Sequence, residues 1–524
     1  MGTSRSIRRS NVPRAYETRE RPSLGRSLAV LVFGLLLIAL DISPVTATSR
    51  AAAAIPAALR VEGNRVMNAT GQPVILHGVN RQGSEYMCVQ GRGIFDGPSD
   101  QASIDAIKSW RANAVRVPLN EDCWLGINGV PTEYGGATYQ QAIKDYVALL
   151  GQSGLYVVLD LHWAAPGTVL ANGPQPMPNA DHSPAFWSDV AAAFRGNDAV
   201  ILELFNEPFP DNNQDSDAAW ICWRDGGSCP GVPFVAAGMQ TLVNAVRGTG
   251  ATNVIAFGGV QFGGTLSRWR EFRPIDPQNA LAVAWHTYNW TWCVTVACYE
   301  SNVGVVAAEV PVIATEIGND QCDAAWLNAL MDWLDGRQIG YLAWAWHSFL
   351  AADCSSIKLV LDYAGTPSQY GEIYRSHLAG LPRPFSAFTA DVRITLGPET
   401  SDDRLNAIGS FTFGAASDGS APPAELVTLA IGDHTAQIPP GSFHQDADGR
   451  FAYRTDDVEV LLAPTGPDSF AYTIEVKYAE LGGSTNPITV TFAIGDDRGT
   501  MRTQAEILSK RHGPAPHTVY AAYL

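Results

Sequence analysis

Val200-Ile-Leu-Glu203-Leu-Phe-Asn206-Glu207-Pro208 is an apolar run that stops at a carboxylate, with a proline directly behind it. A short apolar run closed by a turn-former reads as a strand buried on both faces. A second run of the same design, Val310-Pro-Val-Ile-Ala-Thr-Glu316-Ile-Gly318, ends the same way. Further out, Val- and Ile-rich runs begin near Val74, Asn113, Tyr156, Asn253, Leu281 and Ile339, which with these two makes eight. Helical spacing fills the gaps, as in Ile104, Ile107 and Trp110, or Ala142, Tyr146, Leu149 and Leu150. Strands alternating with helices predict a parallel sheet. Eight such units predict a closed (β/α)8 TIM barrel over residues 56–381. An open doubly wound sheet is the competing architecture, but no Gly-x-Gly-x-x-Gly turn follows the first strand to support it.

Barrels of this kind collect their functional groups at the C-terminal ends of the strands. Along those ends stand Asn80, Arg116, His162, Asn206, Glu207, His286, Tyr288, Glu316, Trp344 and Trp346. Polar groups gathered at one end of apolar strands are costly unless a solvated cleft receives them. Two carboxylates on one rim suit cleavage of a glycosidic bond, one protonating the leaving oxygen and the other attacking or stabilising the sugar cation. Glu207 is the expected acid/base and Glu316 the expected nucleophile. Tyr288 and Arg116 are placed to hold Glu316, and Asn206 to hold a sugar 2-hydroxyl. Neighbouring residues on a strand face opposite ways, so Asn206 and Glu207 share the cleft only if the strand has ended before Pro208. Glu203 reads as structural, and so does Asp160, whose same-face spacing also suits orienting His162. Trp346 is the expected stacking floor for a sugar, and Trp344 the expected packing residue.

These pieces resemble glycoside hydrolase family 5, the cellulase family. The matching segments are Arg116 in Val-Arg-Val-Pro, His162 in Leu-Asp-Leu-His, Asn206-Glu207-Pro208, His286-Thr-Tyr288, Glu316 and Trp346, and they span about residues 56–380. The resemblance implies a retaining double displacement on a β-linked glucan or related polysaccharide. The expectation is a secreted endo-β-glycanase, foremost an endo-β-1,4-glucanase, acting as a monomer. A β-mannanase or xyloglucanase is the alternative within the class, and a non-catalytic glycan-binding surface protein the alternative outside it. No metal or organic cofactor is implied.

Composition agrees with a neutral polymer as substrate. The formal charge is −17 with only five lysines, which disfavours nucleic acid and anionic membrane surfaces as partners. Arginines from Arg5 to Arg26 precede an apolar stretch, Leu28–Leu40, and small residues follow it, so residues 1–55 read as a secretory signal. The stretch is short for a membrane span, and an uncleaved signal-anchor is the alternative that would bring a membrane into play. Export makes disulfides the expected state of the eight cysteines. Proximity along the chain suggests Cys88–Cys123, Cys222–Cys229, Cys293–Cys298 and Cys322–Cys354.

All 14 tryptophans lie between Trp110 and Trp346. Trp220, Trp223, Trp290 and Trp292 fall in loops expected on the active rim, as candidate subsite walls. Beyond Pro382-Arg-Pro384 neither Trp nor Cys occurs. Period-two apolar patterning there, at Ser410–Phe413, Leu426–Ile431, Val458–Leu462, Tyr472–Tyr478 and Ile488–Ile494, predicts a smaller β-sandwich over residues 385–524. Val427-Thr-Leu-Ala-Ile-Gly-Asp433 and Val490-Thr-Phe-Ala-Ile-Gly-Asp496 repeat one another. Without a tryptophan, this module is expected to be a spacer or stabiliser rather than a glycan binder.

Overall fold

The computed structural model describes residues 55–510, apart from residues 70, 350–353, 415–416 and 418–423. The expected signal lies outside the described residues, except for its last position. No helix among the described residues is long and apolar enough to cross a membrane.

Eight parallel strands close into a barrel in sequential order. They are β1 (His77–Asn80), β2 (Ala114–Asn120), β3 (Tyr156–Trp163), β4 (Val200–Glu203), β5 (Ile255–Phe257), β6 (Leu281–Tyr288), β7 (Val312–Gly318) and β8 (Gly340–Ala343). A short hairpin, Leu59–Glu62 and Arg65–Asn68, precedes them and packs Leu59 and Val66 against the barrel's lower interior.

The interior is layered, and the strand period explains how. Ala114, Val158, Ile201, Ala256, Ala282, Ile313 and Leu342 form one apolar cluster inside the barrel. Two residues further along a strand, the side chain faces inward again. That step leads from Ala114 to Arg116, from Val158 to Asp160, from Ile201 to Glu203 and from Ile313 to Thr315. A buried polar layer therefore rests directly on the apolar one. The alternate residues, such as Val115, Val117, Leu159 and Leu202, face the helices and join the larger core.

The strand period breaks on β7. The pairing of β6 with β7 slips between Ala284 and His286, and that of β7 with β8 slips between Ala314 and Ile317. Such a bulge lets two consecutive residues serve one side of a sheet. Thr315 and Glu316 both face inward as a result.

All eight cysteines are paired, in the four combinations expected from the sequence. Every bridge lies in the loops that follow the C-terminal ends of strands. Cys88–Cys123 joins the loops after β1 and β2, and Cys322–Cys354 joins those after β7 and β8. Cys222–Cys229 and Cys293–Cys298 close turns within the loops after β4 and β6.

The C-terminal region is all β, with two sheets of five and seven strands around one core. Its longer strands are β9 (Ala387–Leu396), β10 (Asp403–Thr412), β11 (Val427–Ile431), β12 (Val458–Gly466), β13 (Ser469–Ala479), β14 (Ile488–Ile494) and β15 (Asp497–Thr503). Tyr472 of one sheet lies parallel to Phe492 of the other, with centroids 5.3 Å apart. The two copies of the repeat are β11 and β14, and they pair with each other antiparallel, Val427 opposite Ile494 and Ile431 opposite Val490. Each copy ends in a Gly-Asp turn whose glycine is left-handed, φ 58° at both Gly432 and Gly495. The sequence pattern overlooked β9, which alternates buried and exposed residues along most of its length. The connection to the barrel is ordered. Arg383 and Pro384 pair in parallel with Asp497 and Arg498, and Asp496 receives Arg111 at 3.0 Å and Arg383 at 3.1 Å.

Candidate active site

Arg116 organises the polar layer. It is fully buried, and its guanidinium reaches five side chains, four on β1, β3, β4 and β7 and one in the turn after β4. Nε and Nη2 donate to the two oxygens of Glu203, at 2.8 and 3.1 Å. Nη1 donates to Asn80 at 3.0 Å and to Glu316 at 2.7 Å. Nη2 also reaches Asn206 Oδ1 at 2.8 Å and Asp160 at 2.9 Å. A buried guanidinium is tolerable only when its donors are met by acceptors and charge, as here. Burial opposes charge on Glu203, but Arg116 and His286 outweigh it and hold that carboxyl down at about 2. Glu203 is thus the buried counter-ion of the layer, which agrees with its structural reading.

Each oxygen of Glu316 has a donor, Arg116 on Oε1 and the Tyr288 hydroxyl on Oε2. Burial, reinforced by Glu316 and Glu207, raises Tyr288 well above its ordinary range, so it keeps the proton it donates. His286 stands between the two glutamates. Its Nδ1 lies 3.0 Å from Glu207 and 3.6 Å from Glu316, while Nε2 reaches Thr315 Oγ1 at 3.1 Å. Thr315 in turn donates to Glu203 at 3.0 Å. Burial alone would depress His286, but Glu316, Glu203 and Glu207 together raise it to about 10. It is therefore an imidazolium with both nitrogens donating.

One oxygen from each glutamate and one ring nitrogen of His286 lie within 4.8 Å of one another. Three such donors are also a plausible metal set. A protonated imidazole offers no lone pair, however, and Arg116 already supplies positive charge to Glu316, so the chemistry of the trio does not favour a cation. Carboxyl groups about 5–5.5 Å apart suit a retaining mechanism, and inversion needs about 6.5–9.5 Å. Here one oxygen of each carboxyl group lies within 4.8 Å of one of the other. Their settings differ, since Glu207 is 24% exposed and Glu316 only 3%.

Asn206 and Glu207 both reach the cleft because β4 ends at Glu203 and the chain turns before Pro208. The Asn206 oxygen is taken by Arg116, which leaves its amide N–H groups to donate elsewhere. His162 bonds Asp160 through Nδ1 at 2.7 Å. Burial and the nearby Arg116 depress His162 to about 4, so it stays neutral.

The structure thus brings together seven of the eight expected site residues: Arg116, His162, Asn206, Glu207, His286, Tyr288 and Glu316. Trp346 is the exception. It is 0% exposed and packs edge-on against Trp110 at 4.8 Å, so no sugar can reach its face. Trp344, expected to be packing, is the partly exposed one, and its ring stacks on His162 at 5.2 Å and 8°. Strand β8 ends at Ala343, so the two tryptophans lie beyond the region where a period of two governs direction. The loop tryptophans divide likewise. Trp220 and Trp223 are fully buried, whereas Trp290 and Trp292 are 52% and 58% exposed. Asp160 and Thr315 complete the layer. The signal for Thr315 is its place two residues after the interior Ile313.

The profile described as "Cellulase (glycosyl hydrolase family 5)" matches residues 67–349, more than half of the chain. The chain belongs to glycosyl hydrolase family 5. Within this family it is similar to "Endoglucanase MaCel5A" of Microbulbifer sp. (strain ALW1), 28% identical over 165 residues, covering 30% of this chain and 27% of that protein. It is also similar to "Endoglucanase A" of Butyrivibrio fibrisolvens, 24% identical over 166 residues, covering 31% of this chain and 33% of that one. The chain thus aligns with about a third or less of the length of either relative. Among solved structures it is similar to the β-glucanase SdGluc5_26A of Saccharophagus degradans in complex with cellotetraose. That likeness has a TM-score of 0.49 at 18% identity and covers 62% of this chain and 93% of that one. The family 5 match overlies β1 to β8 and every residue of the polar layer.

Proposed function

We propose that this family 5 protein is a secreted, retaining endo-β-glycanase, foremost an endo-β-1,4-glucanase. The observation that carries the reading is the close approach of Glu207 and Glu316, with Arg116 and Tyr288 on the buried member and water access to the other. Glu316 is the nucleophile. Its carboxylate attacks the anomeric carbon while Glu207 donates a proton to the departing oxygen. Glu207 then takes a proton from water, which releases the sugar from Glu316 with its configuration retained. His286 keeps a positive charge between the two carboxylates. The Asn206 amide donates to the 2-hydroxyl, and neutral His162 accepts from another hydroxyl beside the Trp344 ring. Both curated relatives being endoglucanases supports glucan as the substrate class. Four disulfides and the basic, then apolar, N-terminal sequence support export.

Reducing-end release across carboxymethylcellulose, mannan, xylan and β-1,3-glucan tests the substrate. Activity is expected foremost on carboxymethylcellulose. Release from mannan alone would replace the glucan reading, and release from none would remove the hydrolase reading.

A further inference from the structure

The Thr315 hydroxyl has no part in the chemistry above, yet it stands in the middle of a hydrogen-bonded chain that ends on Glu207. The chain starts at Glu203, which is fully buried and clamped by Arg116. Thr315 donates to Glu203 Oε1 at 3.0 Å. His286 Nε2 stands 3.1 Å from the same hydroxyl, and His286 Nδ1 stands 3.0 Å from Glu207. A hydroxyl has one proton to give and two lone pairs that receive. Since its proton goes to the Glu203 carboxylate, Thr315 can only accept from Nε2, which requires a proton there. Glu203 cannot take over this contact directly, because its Oε1 is 3.6 Å from Nε2, beyond hydrogen-bond range.

The hydroxyl is also held still. A β-branched side chain turns little about its first bond, and the Thr315 carbonyl accepts from Asn80 at 2.9 Å. The orientation of the His286 ring depends on this fixed point. A half-turn of an imidazole puts carbons where both nitrogens stood, so the contacts with Thr315 and Glu207 together keep the ring the right way round. In the proposed reaction Glu207 loses and regains a proton, whereas Thr315, Glu203 and Arg116 keep theirs throughout. The charged and titratable groups around the ring come from several strands. Glu203 and Glu207 belong to β4 and the turn behind it, and Glu316 to β7. Arg116, Asp160 and His162 stand close by on β2 and β3, and Tyr288 follows on β6 itself.

We propose that Thr315 is a positioning residue whose hydroxyl fixes the orientation and the doubly protonated state of His286, and so keeps a hydrogen bond aimed at Glu207 in every stage of the reaction. This rests on the hydrolase reading above and adds to it how the acid/base is held while its own proton comes and goes. The bulge in β7, which turns Thr315 inward beside Glu316, is then a working part of the site.

Thr315→Val in the full chain removes the hydroxyl at nearly unchanged shape, and Thr315→Ser keeps it. The readouts are kcat/KM on cellotetraose against pH, and the ring-nitrogen NMR shifts of His286 in chains carrying isotope-labelled histidine. The signals that vanish in His286→Gln identify them. Thr315→Val loses a hydrogen bond to a charged group, so the alkaline decline of kcat/KM and the titration of His286 should move together, by about one to two pH units downward. Thr315→Ser should return both to the values of the parent. Unmoved titrations in Thr315→Val, whatever its turnover, would reduce the residue to packing and overturn the proposal. A parent spectrum with an unprotonated Nε2 at neutral pH would also overturn it, and that measurement needs no variant to fold. If the parent chain cleaves neither cellotetraose nor carboxymethylcellulose, it is the hydrolase reading that has failed, and the nitrogen shifts still decide whether Thr315 holds the ring.

Discussion

The ring of Tyr288 occupies the space that a side chain on Gly318 would need. A methyl carbon at Gly318 would stand 2.3 Å from Tyr288 Cε1, and the two residues are paired partners on β6 and β7. Gly318 is therefore the residue that lets the Tyr288 hydroxyl reach Glu316. Gly318→Ala should push the ring aside, with a stability cost of about 1–3 kcal/mol from overpacking. Turnover should fall at least as far as in Tyr288→Phe, which loses only the hydroxyl. Steady-state kinetics and thermal melts on both variants check this. A fully active Gly318→Ala would show that Tyr288 is not held by this contact.

The two glutamates should separate by chemistry. Glu316→Ala should lose about 10⁴–10⁶-fold in turnover on every substrate, as expected when a nucleophile is removed. Glu207→Ala should lose about 10²–10⁴-fold where the leaving group needs a proton, and much less with an activated aryl glycoside. Azide should rescue Glu207→Ala with a β-configured glycosyl azide. If azide gives that product with Glu316→Ala instead, the roles are reversed.

His286 predicts an alkaline limit. Its folded value is raised from 6.5 to about 10, so its charge contributes stability that is complete below pH 6.5 and is lost as pH climbs through about 10. Melting temperature and turnover of the parent should both decline across that interval. His286→Gln should melt lower at neutral pH, with a flatter alkaline dependence. An unchanged alkaline slope in the variant would place the limit elsewhere.

Reduction should strike the rim before the barrel. All four bridges lie in loops around the cleft, and the closures between strands are hydrogen-bonded rather than covalent. Each bridge contributes about 2–4 kcal/mol by the usual range. With added dithiothreitol, oligosaccharide turnover should fall at temperatures where far-ultraviolet circular dichroism is still native. Ellman titration of the denatured, unreduced protein should find almost no thiol, and several free thiols would contradict the pairing.

The C-terminal region should be separable at modest cost. Its ion pairs to Asp496 are partly exposed, and such pairs contribute about 0.2–1 kcal/mol. A chain of residues 56–381 should keep its turnover on soluble substrate and melt a few degrees lower. Binding to crystalline cellulose should change little. A large drop in binding at constant soluble turnover would make the sandwich a glycan-binding module.

The barrel was legible because apolar runs at regular intervals leave few other ways to bury them. The site was legible wherever a functional side chain ends or continues a strand, as Arg116, His162 and His286 do. Past a strand end that logic stops, and Trp344 and Trp346 were exchanged for that reason. Trp220 and Trp223 failed differently. A loop residue near the rim can still turn inward, and their indole N–H groups are met by Asp215 at the surface and by the buried Gly258 carbonyl. The β7 bulge has no local sequence mark. Its consequence, Thr315 beside Glu316 in one cleft, is visible only through pairing with the neighbouring strands.

The cysteine pairing has a temporal side. Each bridge joins a cysteine to the next one along the chain, across separations of 35, 7, 5 and 32 residues. No bridge spans another. A chain threading out of a narrow pore from its N-terminus presents each cysteine to its native partner before any later rival has emerged. Oxidation in order of appearance therefore yields the native set directly, and thiol exchange, which is slow, has nothing to correct.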